Sequence, residues 1–263
     1  MIDTHTHLFV EEFSEDLPLV IQRAKDAGVE MLFMPNIDDE SLEDLLKVCA
    51  QHPEYCYPML GYHPTSVDTF SMEKVLQMKK HLVAGHPFIA IGEVGLDLYW
   101  DKTYLREQKM VLEEQIQWAL EWNLPLVIHC REAFSELFEV LNPYKKTNLK
   151  GVFHSFTGTM DEAQEALGYD NFVIGINGVV TFKKSVLPEV LKQVPLGRLV
   201  LETDSPYLAP TPFRGKRNES SYIGKVADKL AEIYEVSTGE ICSITTRNAL
   251  KVFKNSDKVF KVY

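Results

Sequence analysis

Eight short apolar runs, separated by segments of helical periodicity, constrain this 263-residue chain more than any other feature. They are MIDTH near 2–5, MLFM at 31–34, CYPML at 56–60, PFIAIGE at 87–93, LPLVIH at 124–129, KGVFH at 150–154, FVIGI at 172–176 and RLVLET at 198–203. Most are continuously apolar rather than alternating, the pattern of parallel strands covered by helices on their outer face. The segments between them are amphipathic. TYLREQKMVLEEQIQWALEWN at 103–123 sets Leu105, Leu112, Ile116, Ala119 and Leu120 at helical spacing. Thr159 and Glu162 fit a capping box, and Gly168 ends the segment they begin. AKDAG at 24–28 and the run from Ile223 to Tyr234 behave similarly.

Strands alternating with helices imply βαβ units. Eight such units predict an α/β fold, a single-domain (β/α)8 barrel over 1–263, since barrels of this kind run to about 250 residues. No low-complexity linker, heptad run or shift of composition divides the chain.

The net charge of −11 argues against a protein that coats nucleic acid, which needs a basic footprint. It leaves room for an enzyme that grips a strand end, because bound cations and a local basic patch reverse the field locally. Cysteines at 49, 56, 130 and 242 lack CxxC spacing, which predicts reduced, mostly buried thiols rather than a disulfide framework or thiolate zinc site. No apolar run reaches the roughly 18 residues of a membrane span. Polar residues crowd the first dozen positions, unlike a signal peptide. A soluble, cytoplasmic protein with no membrane partner is expected, and a monomer is compatible with the pattern.

In a barrel of this class the chemistry lies at the C-terminal ends of the strands. The polar residues there are His5 and His7 after the first run, Glu93 after the fourth and His129 after the fifth, then His154 after the sixth and Asp204 after the eighth. Each has a structural explanation when taken singly: a strand-end histidine satisfied by hydrogen bonds, a glutamate in a buried ion pair, an aspartate capping the Ser205-Pro206 turn. Six good divalent-ion ligands at one end of five strands are better explained together, as a metal site. Four histidines and two carboxylates exceed the usual ligand set of one ion, so two divalent ions bridged by Glu93 are expected. Imidazole suits zinc, manganese or iron better than magnesium. A bound ion would bring a water within reach of ionisation near neutral pH, and Asp204 would accept its proton. His63, in GYHP after the third run, faces the same rim as a candidate substrate contact. His52, His81 and His86 sit in polar contexts and read as solvated.

The loop after the eighth run, SPYLAPTPFRGKRNES, carries Arg214, Lys216 and Arg217 within four positions, and Lys183 and Lys184 follow the seventh. In barrels, loops after strands seven and eight often bind phosphate, and the arginine fork matches its oxygens. The chemistry points to phosphodiester hydrolysis.

The ordered set MIDTHTHL, GYHP, AIGEVGLD, PLVIHCRE, FHSFTG, LETDSPYLAP and FRGKRNES resembles the TatD family of metal-dependent deoxyribonucleases, within the amidohydrolase-like barrels. The resemblance spans nearly the whole chain. It implies a (β/α)8 barrel and a metal site of His5, His7, Glu93, His129, His154 and Asp204. It also implies magnesium-dependent 3′→5′ trimming of DNA, with single strands or strand ends as substrate. Ser220 stands where relatives usually carry proline after RNE, which leaves the cations intact. Two other readings compete. An amidase, lactonase or phosphoesterase acting on a small metabolite would favour a carbamylated lysine where this chain has Glu93. A binding protein without catalysis predicts a degraded ligand set, whereas all six ligands are present.

Overall fold

The computed structural model describes residues 1–254. Its strands are β1 (Ile2–Asp3), β2 (Met31–Met34), β3 (Cys56–Pro58), β4 (Ile91–Asp97), β5 (Leu126–Arg131), β6 (Gly151–Phe153), β7 (Phe172–Ile176) and β8 (Leu199–Leu201). Its helices are α1 (Leu17–Asp26), α2 (Leu42–Gln51), α3 (Ser71–Lys79), α4 (Leu105–Trp122), α5 (Phe134–Leu141), α6 (Met160–Leu167), α7 (Leu187–Leu191), α8 (Ile223–Tyr234) and α9 (Thr238–Phe253). All strand pairs are parallel, in two arcs ordered β1-β2-β3 and β4-β5-β6-β7-β8. Two bridges join the arcs. Leu60 pairs with Ile91 beyond β3, and Thr6 pairs with Ser205 beyond β8. The sheet therefore closes on itself, and among the described residues no strand edge is left for another chain to pair with.

Most of the expected strands lie within a few residues of their runs. The fourth is displaced, forming its regular pairing with β5 only from Ile91. The preceding Pro87–Ala90 segment makes single bonds to the other neighbour, Ile89 N–H to the Pro58 carbonyl (2.9 Å) and Leu60 N–H to the Ala90 carbonyl (3.1 Å). The first strand is shorter than its run because Thr4 and Thr6 alternate partners, donating to Leu201 and Phe33 carbonyls respectively (3.1 Å each). Helix α4 stops where Asn123 turns left-handed at φ 49°, and α6 begins with the expected Thr159–Glu162 capping box.

Side-chain alternation divides the core into two layers. Val127, Val152, Val173 and Val200 meet Ile2, Met31, Phe33 and Met59 inside the barrel. Their neighbours Leu126, Ile128, Phe153, Phe172, Ile174, Leu199 and Leu201 face outward under the helices. The base of the interior layer is completed by Ala249, Val252 and Phe253 of α9, with the Phe253 and Phe33 rings 4.7 Å apart. The described cysteines are free thiols, three of them buried. Among the described residues, no helix is long and apolar enough to cross a membrane. His86 departs from the solvated reading, since its ring packs on Phe88 and Trp122 with centroids 5.7 and 5.2 Å away.

Candidate metal centre

Period-two alternation carries the interior face of each strand upward into the site. Two residues beyond Val127 is His129, two beyond Val152 is His154, and two beyond Val200 is Glu202. On β4 two such steps lead from Glu93 to Asp97. His5 and His7 are placed by a buried clamp. Asp3 accepts from the Thr203 backbone N–H (2.9 Å) and hydroxyl (2.6 Å), pinning β1 against the end of β8. Asp204 then donates its own N–H to the His5 carbonyl at 2.9 Å. The residue takes φ 59°, a left-handed conformation costly outside glycine and frequent at functional sites.

At the mouth, Glu93 is the shared element. Its Oε2 lies 3.0 Å from His5 Nε2 and 3.6 Å from His7 Nε2. Its Oε1 lies 3.0 Å from His129 Nδ1, 3.3 Å from His63 Nε2 and 3.7 Å from His154 Nε2. One carboxylate thus addresses two histidine clusters, His5 with His7 and His63 with His129, each with donor atoms within 4.8 Å of one another. Asp204 Oδ1 stands 3.5 Å from His7 Nε2 and 3.7 Å from His154 Nε2. The six residues expected at the rim converge, and His63 joins them. His5 Nε2 and His7 Nε2 face each other at 3.1 Å, so their lone pairs are crowded unless one carries a proton or both point at a cation. Convergent imidazole nitrogens around carboxylate oxygens are the donor set a divalent ion takes, and the residues fit one.

Two carboxylates absent from the sequence-derived set stand behind the ligands. Asp97 Oδ2 accepts from His129 Nε2 at 2.8 Å, on the ring edge away from Glu93. Glu202 Oε1 lies 3.0 Å from His154 Nδ1, again on the far edge. Such partners fix ring orientation and raise ligand basicity. Burial pulls both imidazoles toward neutrality, but the acids prevail. Hydrogen bonds donated by His129 to Asp97 and Glu93 lift its pKa to about 9. The charges of Glu202, Glu93 and Asp204 lift His154 to about 10. His5, dominated by burial and by the His154 charge, is lowered to about 3. Burial raises Glu93 and Asp204, yet the surrounding histidines hold both below the usual carboxylate range. Glu202 rises, because burial outweighs its histidine partner. It sits against Gly175, where a Cβ would come within 2.3 Å of Oε2, so the position needs a residue without a side chain.

The clusters open into a cavity of about 670 Å³ lined by His7, His63, Glu93, His129, His154 and Asp204, with Trp100, Arg131 and Tyr207 among the other walls. The cations of the loop after β8 lie outside this lining. Arg214 is exposed and stacks on Phe182, 3.5 Å from the ring centroid. Lys216, Lys183 and Lys184 are exposed nearby in sequence. Arg217 is turned away from the site and bound by Asp16 at 2.8 Å and Glu219 at 3.3 Å. Its guanidinium is engaged in holding the loop to the N-terminal segment. Ser220 is buried and donates to the Thr6 hydroxyl at 3.3 Å, while Asn218 Nδ2 donates to the Thr203 and Tyr207 carbonyls. These bonds seat the loop where proline would stiffen it.

Residues 2–254 match the family described as TatD related DNase. The chain belongs to that family. This TatD-family chain is 41% identical over 256 residues to a Bacillus subtilis (strain 168) protein named "Uncharacterized metal-dependent hydrolase YabD", covering 97% of this chain and 99% of the other. It is 30% identical over 259 residues to the Erwinia tasmaniensis protein named "3'-5' ssDNA/RNA exonuclease TatD", covering 96% and 99%. The crystal structure of YJJV, a TatD homolog from Escherichia coli K12, superposes with a TM-score of 0.86 at 30% identity, covering 96% of this chain and 97% of that one. The fold is thus the TatD-type barrel, and the family is one of metal-dependent hydrolases.

Proposed function

We infer that this chain hydrolyses phosphodiester bonds in DNA, removing nucleotides from the 3′ end of single strands. The observation that carries the reading is Glu93, one carboxylate turned toward two histidine clusters at the floor of an open cavity. Two divalent ions per chain suit that arrangement, one near His5 and His7, the other near His129 and His63, with His154 and Asp204 between. The imidazole-rich donor set favours Mn²⁺ or Zn²⁺, with Mg²⁺ held less tightly. When bound, the ions supply Lewis acidity toward a phosphoryl oxygen and favour ionisation of water.

The chain's own residues supply the rest. Asp204, ionised at neutral pH and facing the cavity, accepts the proton of the attacking water. Glu93 holds the two histidine groups in register. Asp97 and Glu202 keep His129 and His154 from rotating. Arg214 and Lys216, exposed on the loop after β8, draw the negatively charged strand toward the protein. A small-metabolite amidase or lactonase is less well supported, because a carboxylate occupies the bridging position and the relatives named for a substrate are exonucleases.

The test uses purified protein and single-stranded DNA labelled at its 5′ end, with Mg²⁺, Mn²⁺ or Zn²⁺, or with EDTA. A metal-dependent ladder shortening from the 3′ end is expected. Intact DNA with all three ions would end the nuclease reading.

A further inference from the structure

Tyr99 and Trp100 follow β4 after Leu98, and both rings are left in water, 47% and 71% exposed. Two large aromatics side by side at a surface forgo burial that a core would give them, and such patches mark binding sites. Their turn is firmly built. Asp97 Oδ1 accepts from the backbone N–H of Tyr99 at 3.0 Å and of Trp100 at 3.4 Å. The same carboxylate holds His129 through its other oxygen. The aromatic turn and a ligand of the metal centre are therefore fixed by one side chain. Leu98 N–H donates to the Arg131 carbonyl at 2.9 Å, tying the turn to the end of β5.

Arg131 completes the group. Its guanidinium lies 3.6 Å from the Tyr99 ring centroid and 5.4 Å from that of Trp100, and the two rings meet edge to face. Stacking presents the planar cation without engaging its N–H groups. Among the described residues it has no ion-pair partner, in a chain with 38 acidic residues against 27 lysines and arginines. Trp100 and Arg131 line the same cavity as His7, Glu93, His129 and Asp204.

We propose that Trp100 and Arg131 form a nucleotide subsite beside the reacting phosphodiester, with a base stacked on the indole and its phosphate paired with the guanidinium. The proposal rests on the nuclease reading and supplies its strand selectivity. A base inside a duplex has both faces covered by its neighbours, whereas an unpaired base offers one to Trp100. Every base has such a face, so the subsite grips strands without reading sequence.

The experiment compares wild type, Trp100→Ala, Trp100→Phe and Arg131→Gln on two single-stranded oligonucleotides, one natural and one ending in an abasic tetrahydrofuran nucleotide. Wild type is expected to favour the natural end. Trp100→Ala should raise KM for the natural strand about tenfold with kcat changed less than twofold, and Trp100→Phe should restore most of the loss. On the abasic end the Ala penalty should shrink toward unity. Arg131→Gln should lower the slope of log affinity against log salt by about 0.7, one phosphate contact. If wild type cleaves the natural strand and Trp100→Ala matches it in KM, the subsite is refuted while the nuclease reading stands. A wild type that neither cleaves nor binds either oligonucleotide overturns both.

Discussion

The two halves of the centre are oriented by different means. On the β5–β6 side, each histidine has an acid behind it, Asp97 for His129 and Glu202 for His154. On the β1 side, the acids near His5 and His7 face their Nε2 atoms, and among the described residues no acid stands within ion-pair distance of either Nδ1. Packing holds these rings instead. His5 is completely buried, and its ring stacks on His154 with centroids 3.3 Å apart. The contrast separates two ways of keeping a ligand in readiness. Burial keeps His5 neutral, its lone pair available. The acids keep His129 and His154 oriented and basic, but protonated until a cation displaces the proton.

Breaking the shared element should cost most. Glu93→Ala removes the contact common to both halves, and activity should fall at least about 10³-fold, equal to several kcal/mol of lost transition-state stabilisation. Elemental analysis would then show metal lost from both clusters, and full occupancy in the variant would sink this assignment. Next come the supporting acids. Asp97→Asn and Glu202→Gln should each weaken metal affinity about 10- to 100-fold, measured by competition with a chromogenic chelator. A weakening confined to one of the two metal-binding steps would sharpen the division into halves, and an unchanged affinity would erase it.

Proton release tests the same contrast by pH. In the metal-free protein, His129 at about 9 and His154 at about 10 carry protons at neutral pH. Each must leave on metal uptake, so affinity should rise with pH, by roughly tenfold per unit for each proton displaced. The linked stability has the opposite sign. Because these pKa values are raised from 6.5, the stabilisation is complete below pH 6.5 and fades as pH climbs through 9 and 10. The metal-free protein should therefore melt progressively lower above neutrality, and calorimetry in buffers of different ionisation enthalpy should count the protons. Smallest is Gly175→Ala, whose methyl pushes Glu202 from its place. About 1–3 kcal/mol of stability should be lost, with a metal defect resembling that of Glu202→Gln. A stability loss without the metal defect would place Gly175 in packing alone.

Much of this was legible beforehand. Apolar runs marked the strands because parallel strands are buried on both faces. Strand-end histidines and acids marked the rim because barrel topology brings those ends together. Asp97 and Glu202 are harder to read, because Glu93 and Asp204 already supply a carboxylate at the ends of the same two runs. Stepping by two from Val200 reaches Glu202, and stepping twice by two from Glu93 reaches Asp97. The ion pairs of Arg217 are hidden for a different reason. Its partners Asp16 and Glu219 include one about two hundred positions away, so only the folded chain shows that its charge is spoken for. Helix α9 escaped notice because its buried residues are dispersed through the polar stretch TGEICSITTRNALKVF, and their purpose is visible only inside the barrel.

That last helix makes the cylinder's floor. Phe253 joins an apolar layer drawn from β1 through β8, so the layer is finished only by residues that follow all eight strands in the chain. A ribosome-bound chain with all strands already outside the exit tunnel would still present an open-ended funnel, with Phe33 and its valines wet. Stopping short of Ala249 would leave a sticky intermediate for chaperones and proteases, and catalytic competence would arrive with the stopper.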